Sequence, residues 1–415
     1  MPWLFAQPSV AIGEWRARFG RSIREHEEEL RAATSALATV TPGSPGHARL
    51  RHWADAQRAQ PKLLDELLLP MLDAAGNAAL ETYLALRTRL PPEQGLVTYA
   101  ANLHRDWAWG DEENQASLRA VCGAFADRKP STLLVLGAGA GRLAYDLHHT
   151  FGCAHTVALD INPLLLYVAA RVCDGGDLAL WEFPLAPRAP LDCAVLRTLR
   201  APAATRPGLH FVLADGRQPP IAAGAFDAIV APWYLDIVQE GVAASVRRIN
   251  RLLPPHGVWV TFGSLTFGGT NPAERWGIDE VTECIGTNGF TRPQAVEHDM
   301  PYLCSPASRH GRRERVLTLR ADKAAECQPP ATTNALPDWI VDGKTPIPAT
   351  TAFQRQAATT RIHAFIMSLI DGRRSLADVA AVLEQQRLLS RNEAEAALRT
   401  FLTTMYDESR RARGL

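Results

Sequence analysis

The residues best placed to do chemistry form one glycine-rich run, Leu136-Gly137-Ala138-Gly139-Ala140-Gly141-Arg142, set between a β-rich apolar stretch and a helical pattern. Missing side chains let a nucleotide-bearing ligand approach the backbone, and free N–H groups at a helix start meet negative groups. Asp160, followed by Ile161, ends a second β-rich stretch about 20 residues further on, where a carboxylate can chelate a ribose diol. The dinucleotide fingerprint G-x-G-x-x-G wants a small residue at its sixth position, which Arg142 fills here. A long side chain there argues against NAD and for the shorter turn that holds the amino-acid end of S-adenosylmethionine. Gly137, Ala138, Gly139 and Gly141 are then the expected contacts; the bland alternative makes them turn formers only.

Two more landmarks follow in chain order. Ala214-Asp215-Gly216 ends a third β-rich run, where an acidic side chain can meet an adenine amino group; an Asx turn is the alternative. The segment Phe226-Asp227-Ala228-Ile229-Val230-Ala231-Pro232-Trp233-Tyr234 reads as a buried strand whose end, at Pro232, faces the cofactor's methyl group. Trp233 or Tyr234 would bracket a methyl acceptor, or one of the two packs in the core.

Asn102-Leu103-His104-Arg105-Asp106-Trp107 ahead of the glycine run resembles the carnosine N-methyltransferase family of class I S-adenosylmethionine-dependent methyltransferases. Tyr234-Leu235-Asp236, Leu252-Leu253-Pro254-Pro255-His256-Gly257-Val258-Trp259-Val260 and Gly263-Ser264-Leu265 follow in the family's order, so the resemblance spans roughly Tyr99 to Leu319. It implies that Asn102 and Arg105 reach over the cofactor, Arg105 as a fork for its carboxylate. A salt bridge with Asp106 or a neighbour is the alternative for Arg105. It also implies that Asp215 helps position an acceptor imidazole. Two departures concern the acceptor: the family's binding histidine appears as Gln239, and its late tyrosine cluster as Gly311-Arg312-Arg313. The expected acceptor pocket is therefore Trp233, Tyr234, Asp236, Gln239 and Arg313, with Asp215, Tyr234 and Asp236 as catalytic candidates. The implied activity is N-methylation of a small histidine-like imidazole or amine compound, without a metal. A peptide acceptor docked by the C-terminal region, or a scaffold that binds the cofactor without turnover, are the alternatives.

These residues need elements to position them. Short β-rich runs alternate with helical patterns between Ser131 and Arg320, which predicts an α/β, doubly wound Rossmann-like sheet of seven strands. The strands are expected at Thr132–Leu136, Thr156–Leu159, His210–Leu213, Ala228–Ala231, Val258–Phe262, Pro293–Glu297 and Arg315–Leu319. The helices are expected at Gly141–His149, Pro163–Cys173, Ile237–Leu253 and Asp279–Asn288. Ala186–Pro207, rich in Pro, Arg and Ala, reads as an excursion before the third strand, in the position of a lid. Residues 1–92 form a helical N-terminal region that breaks at Pro91-Pro92, 93–322 the methyltransferase domain, 323–345 a Pro-rich linker and 346–415 a small helical domain. That last domain is similar to the winged-helix modules that hold precursor peptides; packing or dimerisation, as in a homodimer, is its alternative role.

The 415-residue chain balances 44 basic against 44 acidic side chains, so no global field draws it to nucleic acid. Seven scattered cysteines without a Cys-x-x-Cys pair suit reduced thiols in the cytoplasm. Neither a signal peptide nor an apolar run of about 18 residues is read, which argues against a membrane.

Overall fold

The computed structural model describes residues 3–5, 8–73, 98–126, 128–238, 240–268, 272–330, 339 and 344–413. The chain divides into two compact units, Met1–Ala335 and Leu336–Leu415. The expected break at Pro91-Pro92 and part of the 323–345 linker lie outside the described residues.

Apolar runs four to six residues long are short enough to be buried strands, and here they pair side by side. The strands are β1 (Trp3–Phe5), β2 (Thr132–Leu136), β3 (His155–Asp160), β4 (Leu178–Glu182), β5 (Val195–Leu199), β6 (Leu209–Leu213), β7 (Ala228–Pro232), β8 (Val258–Gly263), β9 (Gln294–Tyr302) and β10 (Arg312–Asp322). Eight of them form one sheet in the order β1-β6-β3-β2-β7-β8-β10-β9. Pairing is parallel from β1 through β8, and β10 runs antiparallel to both of its neighbours. The seven expected strands are all present, and β1 adds an eighth at the edge, parallel to β6.

Helices cover both faces, as a doubly wound sheet requires. They are α1 (Pro8–Leu37), α2 (Pro45–Asp73), α3 (Ala100–His104), α4 (Asp111–Phe125), α5 (Arg142–Phe151), α6 (Pro163–Cys173), α7 (Val242–Leu252) and α8 (Ile278–Thr287). Successive side chains of a strand point to opposite faces. Leu133 and Val135 therefore join the apolar layer containing Phe125, Leu147 and Leu166 of α4, α5 and α6, while Leu134 and Leu136 join Val246, Ile249 and Ile285 of α7 and α8. All of these are almost wholly buried. The double-sided burial rigidly fixes the carboxyl ends of β2, β3, β6 and β7, where the chemistry-bearing residues stand.

Helix α6 starts where its sequence says it should: Asn162 Oδ1 accepts the Leu164 and Leu165 N–H groups, and Pro163 fills the first turn. Helix α7 begins later than the expected Ile237, at Val242 behind Gly241, whose φ is 80°. The outer strands β9 and β10 run longer than expected because their partly exposed ends are charged, which hides them among loop-like residues.

The Ala186–Pro207 excursion contributes β5, which pairs antiparallel with β4 in a separate hairpin. The hairpin leans on α2: Trp181 N–H donates to Gln60 Oε1 at 2.9 Å, and His52 Nε2 meets the Ala194 carbonyl at 2.7 Å. Helix α2 itself supplies Leu64 and Leu68 to the layer beneath. His104, at the end of α3, is 3% exposed and lies near the Arg197–Glu182 ion pair, whose Nε···Oε2 distance is 2.7 Å.

The second unit has its own small core of Ile366, Val379, Leu383, Ala394 and Leu398, contributed by α9 (Thr351–Ser368), α10 (Leu376–Gln385) and α11 (Arg391–Arg413). Ser375 caps α10 in a box with Asp378, as its sequence implies. Among the described residues this unit contains no strand.

Two predictions follow from the packing. Burial lowers the His104 pKa from 6.5 to about 4, so the folded state resists its protonation. A depressed histidine gives stability that is present above pH 6.5 and lost as the pH falls toward about 4, an effect of up to about 3 kcal/mol. Urea midpoints should therefore fall over that window, and the fall should be shallower in His104→Asn. Gly141 stands at φ 84°, and an added Cβ would lie 2.9 Å from Ala169 Cβ and 3.0 Å from Phe211 Cε1. Gly141→Ala should destabilise the first unit by roughly 2–4 kcal/mol in urea unfolding, from left-handed strain plus overpacking.

Candidate active site

A cavity of about 250 Å³ opens at the carboxyl ends of β2, β3, β6 and β7, with one wall from α3 and α4. Brief positive-φ glycines make the floor. Gly137 (φ 76°) and Gly139 (φ 56°) turn the chain so that the Gly137 and Ala138 N–H groups both donate to the Leu159 carbonyl at 2.9 Å. A Cβ on Gly139 would meet no heavy atom within 4 Å, so the turn presents bare backbone to open space. Asp160 is tied to this turn: its Oδ2 accepts the Gly139 N–H and its Oδ1 the Asn162 N–H, both at 2.8 Å. Burial raises the Asp160 pKa, against the pull of those N–H groups.

The Asn102–Trp109 segment is clamped onto the same turn. After α3 the backbone widens into a π-helical stretch, Arg105–Trp109. Trp107 Nε1–H donates to the Ala140 carbonyl at 2.8 Å, and the Arg142 guanidinium donates through Nη1 to the Asp106 carbonyl at 2.6 Å. Arg142 also pairs with Asp146 at 3.0 Å and lies 5.8 Å over the Trp107 ring, turned away from the cavity. Its length thus serves the clamp.

Arg105 lines the cavity while engaged by two acids, Asp106 at 2.6 Å and Glu113 at 2.8 Å. The salt-bridge alternative for Arg105 is realised here. Burial works against its charge, but Asp106 and Glu113 outweigh it and raise its pKa. Glu113 reaches further: its Oε2 accepts the Leu303 N–H at 2.7 Å, pinning the end of β9. Burial raises the Glu113 pKa, opposed by Arg105.

Trp233 and Tyr234 part company at the end of β7. Trp233 takes φ 50°, a left-handed conformation that is costly for a bulky residue, and its N–H donates to the Phe262 carbonyl at 2.6 Å. Its ring stands 5.0 Å from that of Tyr302, and the Arg312 guanidinium sits 4.5 Å over Tyr302. Tyr234 instead lies under the glycine turn, where a Cβ on Gly137 would touch its Cδ2 at 3.0 Å and one on Gly216 its Oη at 2.6 Å. Its hydroxyl is buried without a hydrogen-bond partner among the described residues, and burial, then Glu240 and Asp215, raise its pKa.

Of the sequence-derived candidates, Asn102, Arg105, Gly137, Ala138, Gly139, Asp160, Ile161, Asp215, Gly216, Pro232, Trp233 and Tyr234 line this one cavity. Gly141 is beside it, buried against Ala169 and Phe211. Asp215 is held by Arg217, whose Nε and Nη2 each reach it at 3.2 Å and whose N–H donates to it at 2.9 Å. Asp236 is not in the lining; its Oδ2 accepts the Thr266 N–H at 2.8 Å, and burial raises its pKa. Arg313 is on the exposed face of β10, paired with Asp299. Gln239 lies outside the described residues. Asp106, Tyr99, Asn114, Ser117, Asn162, Arg217 and Tyr302 add polar lining that was not singled out as site residues from sequence, beside the apolar Leu143, Leu159, Leu165, Ile237, Val238 and Phe262. Asn162 was readable as a helix cap; Tyr302 carries no local signal.

No family model and no curated protein matches this chain. Among solved structures, it is similar to the YcgJ protein of Bacillus subtilis, at 12% identity and a TM-score of 0.36 over 51% of this chain and 99% of that one. A SAM-dependent methyltransferase of Methanosarcina mazei matches at 14% identity and 0.33, over 48% of this chain and 95% of that one. The N-methyltransferase NodS of Bradyrhizobium japonicum matches at 16% identity and 0.34, over 55% and 99%. Among the described residues there is no group of side chains that could hold a metal ion, and no helix long and apolar enough to cross a membrane.

The orphaned hydroxyl gives a direct test of the Tyr234 environment. Deleting a buried group that has no partner costs little, so Tyr234→Phe should unfold in urea within about 0.5 kcal/mol of the parent or be more stable. A loss above about 1 kcal/mol would show that the hydroxyl has a partner.

Proposed function

We propose that this chain is a class I S-adenosylmethionine-dependent methyltransferase that methylates a nitrogen of a small imidazole or amine compound. The observation that carries the reading is the convergence, in one cavity, of the bare Gly137–Gly139 backbone, Asp160 at the end of β3 and Asp215 at the end of β6. Asp160 would hold the ribose diol, Asp215 and Gly216 the adenine edge, and Asn102, Arg105 and the glycine turn the amino-acid end. When bound, the cofactor supplies an electrophilic methyl group on a sulfonium. The protein contributes alignment and exclusion of water.

The acids lining the cavity bear on the acceptor. Asp106, Asp160 and Asp215 each already hold hydrogen-bond or ionic partners, so the lining offers no idle carboxylate to deprotonate an acceptor. An acceptor with its own lone pair at neutral pH fits, and an imidazole with a reference pKa of about 6.5 is such a group. Trp233 and Tyr302 offer a flat aromatic wall for it. Asp236 stands outside the lining, with Oδ2 on the Thr266 N–H, so in this reading Trp233 and Tyr302 carry the acceptor contact. The seven unpaired cysteines support a cytoplasmic site of action.

A peptide acceptor is the second reading, favoured by the three-helix unit, which exposes Phe353, Met367, Ile370 and Leu388.

Transfer of labelled methyl from S-adenosylmethionine into a cell extract split by size tests both readings, with Asp160→Ala as control. Label is expected in the small-molecule fraction and should drop at least about tenfold in the control, as loss of a charged hydrogen-bonding anchor implies. Label confined to peptides would favour the second reading, and no label in either fraction would refute both.

A further inference from the structure

Two residues at the aromatic wall hold left-handed backbones that are costly for a bulky side chain, Trp233 at φ 50° and Leu303 at φ 50°. Such conformations persist only where the surrounding bonds impose them. On the β7 side that bond is backbone to backbone, from the Trp233 N–H to the Phe262 carbonyl at 2.6 Å. On the β9 side it runs to a side chain: the Leu303 N–H, next to Tyr302, donates to Glu113 Oε2 at 2.7 Å. The far end of the same loop is tied elsewhere, by the Arg188 N–H to the Ala307 carbonyl at 3.0 Å.

Glu113 is 5% exposed and stands behind the cavity, not in its lining. Its other oxygen accepts from Arg105 Nη1 at 2.8 Å, and Arg105 does line the cavity. With Nε on Asp106, Arg105 keeps Nη2 without a protein partner among the described residues. One guanidinium thus borders the ligand space and, through Glu113, holds the residue that follows Tyr302.

We propose that Glu113 is a positioning residue for the reaction: it transmits occupancy of the cofactor site to the Tyr302 wall, so that the cofactor binds first and the acceptor then meets a wall already ordered. The proposal rests on the adenosyl reading of the cavity, in which Arg105 takes the cofactor's carboxylate. A ligand bond that fixes the Arg105 guanidinium removes freedom that its bond to Glu113 would otherwise have to remove. The chain from Arg105 through Glu113 to Leu303 then tightens at a lower entropic cost. By linkage an ordered wall raises cofactor affinity in turn, so the two substrates bind with positive cooperativity. A purely structural Glu113 would pin β9 equally with the cavity full or empty.

Hydrogen–deuterium exchange of the full chain, with and without saturating adenosylhomocysteine, separates these roles in the parent and in Glu113→Gln. Adenosylhomocysteine carries the same carboxylate as the cofactor. A glutamine offers one acceptor oxygen where the glutamate offers two, so the variant cuts the chain at one of its two bonds. In the parent, exchange of residues 303–305 should slow about fivefold or more on binding, the lower end of usual couplings between sites. In the variant these amides should exchange faster than in the parent and respond less than about twofold to the ligand, while 137–142 still slow. Slowing of 137–142 in the parent with 303–305 unchanged would overturn the proposal and leave the adenosyl reading standing, whether or not the variant folds. Equal slowing of 303–305 in parent and variant would also overturn it, because Glu113 would not be the carrier. So would a folded variant that no longer binds adenosylhomocysteine, since Glu113 would then belong to the cofactor's own hold. If adenosylhomocysteine slows no amide of the parent, the adenosyl reading and the proposal fall together.

Discussion

A buried carboxylate must find partners or it costs several kcal/mol, and Asp106 finds them in two elements at once. One oxygen receives Arg105 from its own segment, and the other receives the first N–H of α5 from across the glycine turn. The indole of Trp107 and the guanidinium of Arg142 repeat the link in both directions, each donating to a carbonyl of the opposite element. Without this cluster the glycine turn would lie open at the carboxyl ends of the central strands. With it, α3 and α4 become a wall, and Arg105 is delivered to the cavity already oriented.

The constraint propagates outward. Glu113 shares Arg105 with Asp106 and spends its remaining oxygen on the Leu303 N–H, so the end of β9 is registered against the same cluster. Tyr302 stands at that end and faces Trp233, whose left-handed backbone turns its ring out of the line of β7. The α3–α4 wall and the aromatic wall are therefore linked through Arg105, Glu113 and the end of β9. On the other side His104 carries the segment into the hairpin, where Trp181 and Ala194 rest on α2.

What was legible in the sequence follows from how each element is buried. Strands β2 and β7 read to within a residue because a parallel strand covered on both faces is a continuous apolar run. Helix α6 read fully because Asn162 and Pro163 mark its start. The β4–β5 hairpin did not read, since it packs one half-exposed face on α2 and its linking residues are Pro- and Arg-rich. The late start of α7 did not read either, because the turn through Trp233 depends on a bond to the Phe262 carbonyl, which no local pattern announces. The same division holds in the cavity. Gly137, Gly139, Asp160 and Asp215 sit at strand ends and carry motif spacing; Tyr302, and Glu113 behind the lining Arg105, come from elements far apart in sequence and owe their place to tertiary bonds. From sequence Arg142 could be read only as a long side chain where a dinucleotide turn wants a small one; its use, as the strut between Asp106 and Asp146, needed coordinates.

If the clamp on the glycine turn builds the cofactor site, both halves must respond to one ligand together. Hydrogen–deuterium exchange of the full chain with and without adenosylhomocysteine reads this directly. The account predicts concerted slowing of amides in residues 99–110, 137–142 and 160–162, with α9 to α11 unchanged. Protection limited to 137–142 and 160–162, with the upstream segment exchanging as before, would contradict it.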